Sequence, residues 1–243
     1  RRLAPGKPLK LAHSSFMHIP LESTEQVLAR ITQLRVGIIG DFALDLYYQV
    51  QKNTTEFSLE TEKQVYWGTK PVASPGGAGN VAQNVAALGA RQLWVFGCVG
   101  PDLYGRELLH CFQQSGITTS SLIQPTEGWD TCTYVKPMLR EQEEDNRLDF
   151  GTHNTLSDAA FEGILGQLDA ALPSLDVLIV NQQFPNPLLS PKRIERLNAL
   201  IAQHPSCYVV ADLRHFGDTI RKATLKVNTA ELAFLLNSPD ANA

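Results

Sequence analysis

Short, continuously apolar runs alternate along this chain with longer stretches in which apolar positions recur every three or four residues. Residues 36–39, Val-Gly-Ile-Ile, form the first such run, as a strand buried on both faces requires. Residues 92–98, 176–180 and 207–211 repeat it, and shorter strands are predicted near 121–123, 132–139, 146–150 and 225–227. Helical spacing marks residues 78–88, 103–114, 158–171 and 191–203, with Ser157 capping the third. A further helix is predicted over 23–33, where Ser23 and Gln26 have the spacing of a capping box, and a last one over 229–236. Residues 47–50 and 64–67 are rich in aromatic and β-branched side chains and read as two strands outside the main sheet, a small lid within about 46–72. Residues 1–22, with Pro5, Pro8 and Pro20, read as an extended lead-in.

Strand alternating with helix predicts an α/β domain over 23–243, with a doubly wound, mostly parallel sheet covered on both faces. Ligands of such sheets bind beyond the carboxyl ends of the strands. That rule directs attention to Asp41 and Asp45, Gly100 and Asp102, Asn181 and Gln182, Asp212 and Arg214, and Asn228 and Glu231.

Composition removes several function classes. A net charge of −4 leaves no electrostatic footprint for nucleic acid. Apolar runs such as 177–180 fall far short of the ~20 residues of a membrane span. Cys98, Cys111, Cys132 and Cys207 are widely spaced without a CxxC pair or a histidine cluster, which argues against structural zinc and for reduced thiols in a cytoplasmic protein. No GxGxxG follows the first strand, and neither a GxxxxGK[ST] loop nor a GxSxG elbow occurs. The acidic run 141–145 reads as a solvated loop between two strands.

The segment richest in chemistry is Pro75-Gly76-Gly77-Ala78-Gly79-Asn80, which runs directly into a helix. Glycines admit a tight bend and a close ligand, the helix start points unpaired N–H groups at the loop, and Asn80 adds an amide. A loop needed only for packing is the alternative; the coincidence of glycines, amide and helix favours a ligand site. Asp41 reads as a cap of the turn that follows it, whereas Asp45 is placed to accept hydrogen bonds from sugar hydroxyls.

Four motifs together resemble the PfkB (ribokinase-like) carbohydrate kinases: residues 34–47, residues 75–90, Val99-Gly100-Pro101-Asp102-Leu103-Tyr104-Gly105, and Lys226-Val227-Asn228-Thr229-Ala230-Glu231. Within that family Gly40-Asp41-Phe42-Ala43-Leu44-Asp45 and Asn146-Arg147-Leu148-Asp149-Phe150 look most like heptose-phosphate kinase domains. The resemblance implies a ribokinase-like fold and transfer of the γ-phosphate of ATP to a sugar or sugar-phosphate hydroxyl, with Mg²⁺. It implies that Asp45, Gly76, Gly77 and Asn80 hold the sugar. Arg147 is assigned to its phosphorylated or polar end, an ion pair with Asp149 being the alternative. Asn228 and Glu231 match an Asn-x-x-Glu motif that organises magnesium through water, helix capping by Asn228 being the alternative. Asp212 and Arg214 are expected along the nucleotide path.

The departures are equally specific. The family's Gly-Ala-Gly-Asp segment, which supplies the general base and an anion-binding helix N-terminus, does not occur in these 243 residues. The chain is therefore expected to be incomplete at its C-terminal side and inactive alone, its base Asp lying beyond Ala243. Asn181-Gln182-Gln183 also stands where a heptose kinase would carry an Asp. A non-catalytic sugar-binding protein and a nucleoside kinase are the competing readings, and the lid is expected to serve as a homodimer surface.

Overall fold

The computed structural model describes residues 21–140 and 143–235. Helix α1 (Leu21–Ile31) leads into β1 (Arg35–Gly40), which a single residue, Asp41, separates from β2 (Phe42–Gln51). Then come β3 (Trp67–Gly68), β4 (Val72–Gly77), α2 (Ala78–Ala87), β5 (Gln92–Cys98), α3 (Leu103–Gln114) and β6 (Leu122–Ile123). The chain continues through β7 (Cys132–Arg140), β8 (Glu143–Glu144), β9 (Leu148–Phe150) and α4 (Asp158–Ala171). After a 3-10 turn at Leu172–Ser174 follow β10 (Val177–Gln182), α5 (Pro191–Gln203), β11 (Tyr208–Leu213), β12 (Thr224–Leu225) and α6 (Thr229–Leu235).

Six strands form the core sheet in the order β12-β11-β10-β1-β5-β6, with every pairing parallel. The chain winds outward from β1 in one direction through β5 and β6, then returns to lay β10, β11 and β12 on the other side. The topological switch point thus lies between β1 and β10. One face of the sheet packs Ile39, Leu178 and Val180 against Phe161, Ile164 and Leu168 of α4 and Ile194 and Leu197 of α5. The other packs Val36, Ile38 and Val95 against Ala78 and Ala82 of α2 and Leu108 and Phe112 of α3. Burying each of the larger side chains contributes roughly 1.5–3 kcal/mol before chain entropy is counted.

The second sheet is larger than the predicted lid. It joins β2 to β3, β4 and β7, and β7 to β8 and β9. The strand expected over 64–67 is only the two-residue β3, with an isolated bridge between Phe57 and Gln64. The runs near 132 and 146, read as members of the alternating series, belong to this sheet instead. Helix α1 begins at Leu21, so Ser23 lies inside its first turn, not at its cap, and Leu21 and Glu22 are helical where the lead-in was expected to continue. Residues 1–20 of that lead-in and the Leu236 end of the last helix lie outside the described residues. Among those described, no helix is long and apolar enough to cross a membrane.

Asp102 joins the two sheets. One carboxylate oxygen accepts from the Gly105 N–H (2.7 Å), capping α3, and the other from the Thr131 N–H (2.7 Å) at the approach to β7. Thr131 Oγ1 in turn accepts from the Gly100 N–H at 2.9 Å. A Cβ at Gly105 would lie 2.1 Å from the Gly100 carbonyl oxygen, so the chain passes here only as glycine. The Gly-Pro-Asp-x-x-Gly motif therefore pins the lid to the core. Asp102→Ala removes a helix cap and leaves the Thr131 N–H unpaired. Urea denaturation is expected to show a loss of about 2 kcal/mol.

Candidate functional site

The candidate cleft lies at the carboxyl ends of β1 and β10, where ligands of such sheets bind and where Asp41 turns the chain out of the core sheet. Asp41 is fully buried. Its Oδ2 accepts from the Gln183 and Phe184 N–H groups (2.8 and 3.0 Å) and its Oδ1 from the Leu188 N–H (2.7 Å). The residue thus caps the loop after β10, 142 to 147 residues away, rather than the turn that follows it. Its own N–H donates to the Asn181 carbonyl (3.2 Å), and its carbonyl accepts from Ala78 N–H (2.8 Å) at the start of α2. Burial pushes the Asp41 carboxyl up to about 6, and the three backbone hydrogen bonds oppose that shift.

Gly77 is held to Asp41 by contact. Its φ is +56°, and a Cβ there would lie 2.4 Å from the Asp41 carbonyl oxygen. Phe184, swung in by the Asp41 bonds, packs with Ala43 and Cys132 and against Tyr134 to floor the cleft. Burial pushes the Cys132 thiol up to about 12, so it serves this floor as a neutral, apolar group.

Strand pairing then sets the polar wall. Asp45 on β2 lies opposite Ser74 of β4 on one side and Tyr134 of β7 on the other, and Tyr134 lies opposite Asp149 of β9. One register step of two residues along, Tyr47 faces Lys136. Because side chains alternate along a strand, Asp45, Tyr47, Tyr134, Lys136 and Asp149 share one face of the lid. The alternate face carries Leu44, Leu46 and Val135.

Asp45 Oδ1 is 2.7 Å from Lys136 Nζ, and both side chains are largely buried. Lys136 Nζ also donates to Tyr47 Oη at 2.9 Å. Burial draws the Lys136 ammonium toward neutrality, but its bonds to Asp45 and Tyr47 outweigh that and leave its pKa raised. Asp45 Oδ2 lies over Gly76: a Cβ on Gly76 would come within 2.9 Å of it. Glycine at 76 therefore makes room for this carboxylate.

The structure brings Asp45, Gly76 and Gly77 to one side of the cleft. Asn80 stands on the first turn of α2, exposed, accepting from Asn84 Nδ2 at 3.3 Å. Arg147 lies just before β9 and not within the strand, its guanidinium 4.8 Å from the centre of the Tyr134 ring. It is paired with Asp149 through Nε–Oδ1 (2.6 Å) and Nη2–Oδ2 (2.8 Å), the alternative expected for it. Lys136, Tyr47, Tyr134 and Phe184 were missed by sequence reasoning. A lysine and an aromatic residue at alternate positions of the apolar run 132–139 were the available signal for the first and third.

At the other end of the cleft, Asn228 and Glu231 form a reciprocal capping box for α6. Asn228 N–H donates to Glu231 Oε2, and Glu231 N–H to Asn228 Oδ1, each at 2.8 Å. Capping, the structural alternative for Asn228, is thus realised, while Glu231 Oε1 takes no part in the box. Asp212 Oδ2 is 2.9 Å from Lys226 Nζ. Among the described residues no three His, Cys, Asp or Glu side chains gather to cage an ion. The carboxylate oxygen that the box leaves over, Glu231 Oε1, is a hard oxygen donor of the type Mg²⁺ takes alongside water and phosphate oxygens. A pocket of about 570 Å³ adjoins it, walled by Leu213, His215, Phe216, Val227 and Glu231. Gln182 accepts from the His215 N–H through Oε1 (2.8 Å) and donates to the Leu189 carbonyl (3.3 Å), so it shapes the loops where an Asp was expected.

The profile of the pfkB family carbohydrate kinases matches residues 35–243. The chain is 30% identical over 204 residues to the D-beta-D-heptose 7-phosphate kinase of Bordetella bronchiseptica, covering 84% of this chain and 62% of that protein. It is 29% identical over 157 residues to the bifunctional protein HldE of Citrifermentans bemidjiense, covering 65% of this chain and 31% of that protein. The chain therefore spans less than two thirds of the length of these relatives. Phosphofructokinase-2 from Escherichia coli, solved in complex with fructose-6-phosphate, superposes with a TM-score of 0.60 at 18% identity, over 86% of this chain and 68% of that one. Ribokinase from Giardia lamblia gives 0.56 at 20% identity, over 86% and 62%. These likenesses establish the ribokinase-like fold.

The Asp41 clamp has a measurable signature. A protonated carboxyl keeps a lone pair on each oxygen, whereas the amide nitrogen of Asn has none, so Asp41→Asn strands one of the three buried N–H groups. We expect a loss of about 2 kcal/mol in urea denaturation at neutral pH. The folded value lies above the ordinary 3.8, so the native state keeps this proton where the unfolded chain has released it. The Asp41 contribution to stability thus falls as pH rises from about 4 to about 6. The gap between wild type and Asp41→Asn should be wider at pH 4 than at pH 7, and a gap independent of pH would contradict this.

Proposed function

The chain belongs to the pfkB family of carbohydrate kinases, and on that footing we propose that it is the sugar-holding portion of an ATP-dependent kinase acting on a sugar phosphate. The observation that carries this reading is the Asp45 carboxylate, tied at one oxygen and lying with the other over Gly76 beside the switch point of the core sheet. A carboxylate presented in this way accepts hydrogen bonds from sugar hydroxyls. The Gly76–Gly77 backbone and Asn80 complete that side of the cleft. A phosphorylated substrate is supported by the names of the relatives, a heptose 7-phosphate kinase and a phosphofructokinase. Arg147 would receive the phosphate, exchanging its fork with Asp149 for phosphate oxygens of matching geometry.

ATP is assigned to the ends of β11 and β12, along Asp212 and Arg214, with Asn228 and Glu231 positioning Mg²⁺ through water. The ion would supply charge neutralisation for phosphoryl transfer; the chain's own part is to hold and align the acceptor hydroxyl. The Gly-Ala-Gly-Asp segment that the resemblance links to the hydroxyl proton does not occur in the 243 residues. Residues 23–243 form the sugar-side kinase domain in this reading, and the chain alone binds sugar without transferring phosphate. A cytoplasmic setting accords with the four free thiols. Tyr66 and Trp67, each about half exposed at the lid, are assigned to self-association of two copies, which sedimentation of wild type against Trp67→Glu would reveal as a shift from dimer to monomer.

Calorimetric titration tests the reading. A heptose 7-phosphate or D-fructose 6-phosphate should bind, and Asp45→Ala should weaken either by about 10–100-fold. Arg147→Ala should weaken the phosphorylated sugars and leave unphosphorylated ones unchanged. Binding of adenosine in their place would reassign the cleft to a nucleoside, and undiminished binding in Asp45→Ala would remove Asp45 from the site.

A further inference from the structure

A carboxylate on a β-strand turns about two side-chain torsions, so a strand position alone does not decide where its oxygens point. In this lid Lys136 decides it. The lysine reaches Asp45 from the neighbouring strand, and its ammonium is itself fixed by donating to Tyr47 Oη at 2.9 Å. The pair is no mobile surface bridge: the side chains of Lys136 and Asp45 are 15% and 20% exposed. Tying Oδ1 to Lys136 leaves Oδ2 directed over Gly76, where no Cβ intrudes.

We propose that Lys136 is a positioning residue for sugar recognition: it locks Asp45 in the rotamer that presents Oδ2 to the ligand, and Tyr47 locks Lys136. This rests on the proposed reading of the cleft as a sugar site. Lys136 acts through Asp45, so it serves the hydroxyl end of the ligand and is indifferent to any phosphate. Preorganisation of this kind spares the ligand the entropy of ordering the carboxylate at the moment of binding.

The test is calorimetry on the intact 243-residue chain with two probes, D-fructose 6-phosphate and D-fructose. Lys136→Met should weaken both by the same factor, about tenfold or more, and Lys136→Arg should restore most of the loss. Tyr47→Phe, a milder change, should weaken both by a smaller common factor. A loss confined to the phosphorylated probe would put Lys136 on the ligand phosphate and overturn the proposal, as would unchanged binding of both. If wild type binds neither probe, the sugar-site reading itself fails. The crystal structure of Lys136→Met then judges the lock separately: an Asp45 carboxylate swung away from Gly76 supports it, and an unmoved one overturns it.

Discussion

The cleft depends on one buried carboxylate. Asp41 ends β1, and through its backbone and side chain it holds three separate pieces of chain: the end of β10, the loop that follows it, and the start of α2. A buried carboxylate is costly unless its oxygens are satisfied, and here three backbone N–H groups satisfy them. The same groups are the otherwise unpaired donors of a loop that must run through the interior. The arrangement is therefore reciprocal, and the loop has its shape because Asp41 is there to receive it.

From that clamp follow the floor and the wall. Phe184 is carried against Ala43 and Cys132, and Gly77 is pressed onto the Asp41 carbonyl with a backbone that only glycine adopts readily. The core sheet provides rigidity, with both faces covered and every pairing parallel. The lid provides the polar side chains, because the odd positions of β2 and the even positions of β7 put Asp45, Tyr47, Tyr134 and Lys136 on one face. Asp102 fastens the start of β7 to the core, and the parallel register sets that start beside the start of β2 at Asp41, so one end of the polar wall is anchored twice to the rigid layer.

The core sheet was largely legible in the sequence. Residues 92–98, 103–114 and 191–203 were bounded as the structure has them, since buried strands and amphipathic helices announce themselves by local periodicity. The four motifs that resemble the PfkB kinases also pointed to the right family. Long-range partnership was not legible. Asp41 suggested a local turn cap because nothing nearby reveals that its donors lie more than 140 residues on. Lys136 was passed over because the register of β7 on β2 is set by tertiary pairing, and a shift of one residue would have put it on the opposite face. The lid was drawn too small for the same reason: its strands come from distant parts of the chain. Arg147 and Asn228 were each assigned two roles, and the pairing with Asp149 and the capping box are what the folded chain displays.

In the proposed reading the Asp41 clamp and the lid wall together make one sugar-phosphate cleft. A crystal structure of the chain grown with D-fructose 6-phosphate tests it most directly. We expect the sugar between Phe184 and the lid, a hydroxyl within hydrogen-bond distance of Asp45 Oδ2, and the phosphate toward Arg147. Sugar bound elsewhere on the chain, or bound in the cleft with Asp45 turned away from it, would overturn that reading.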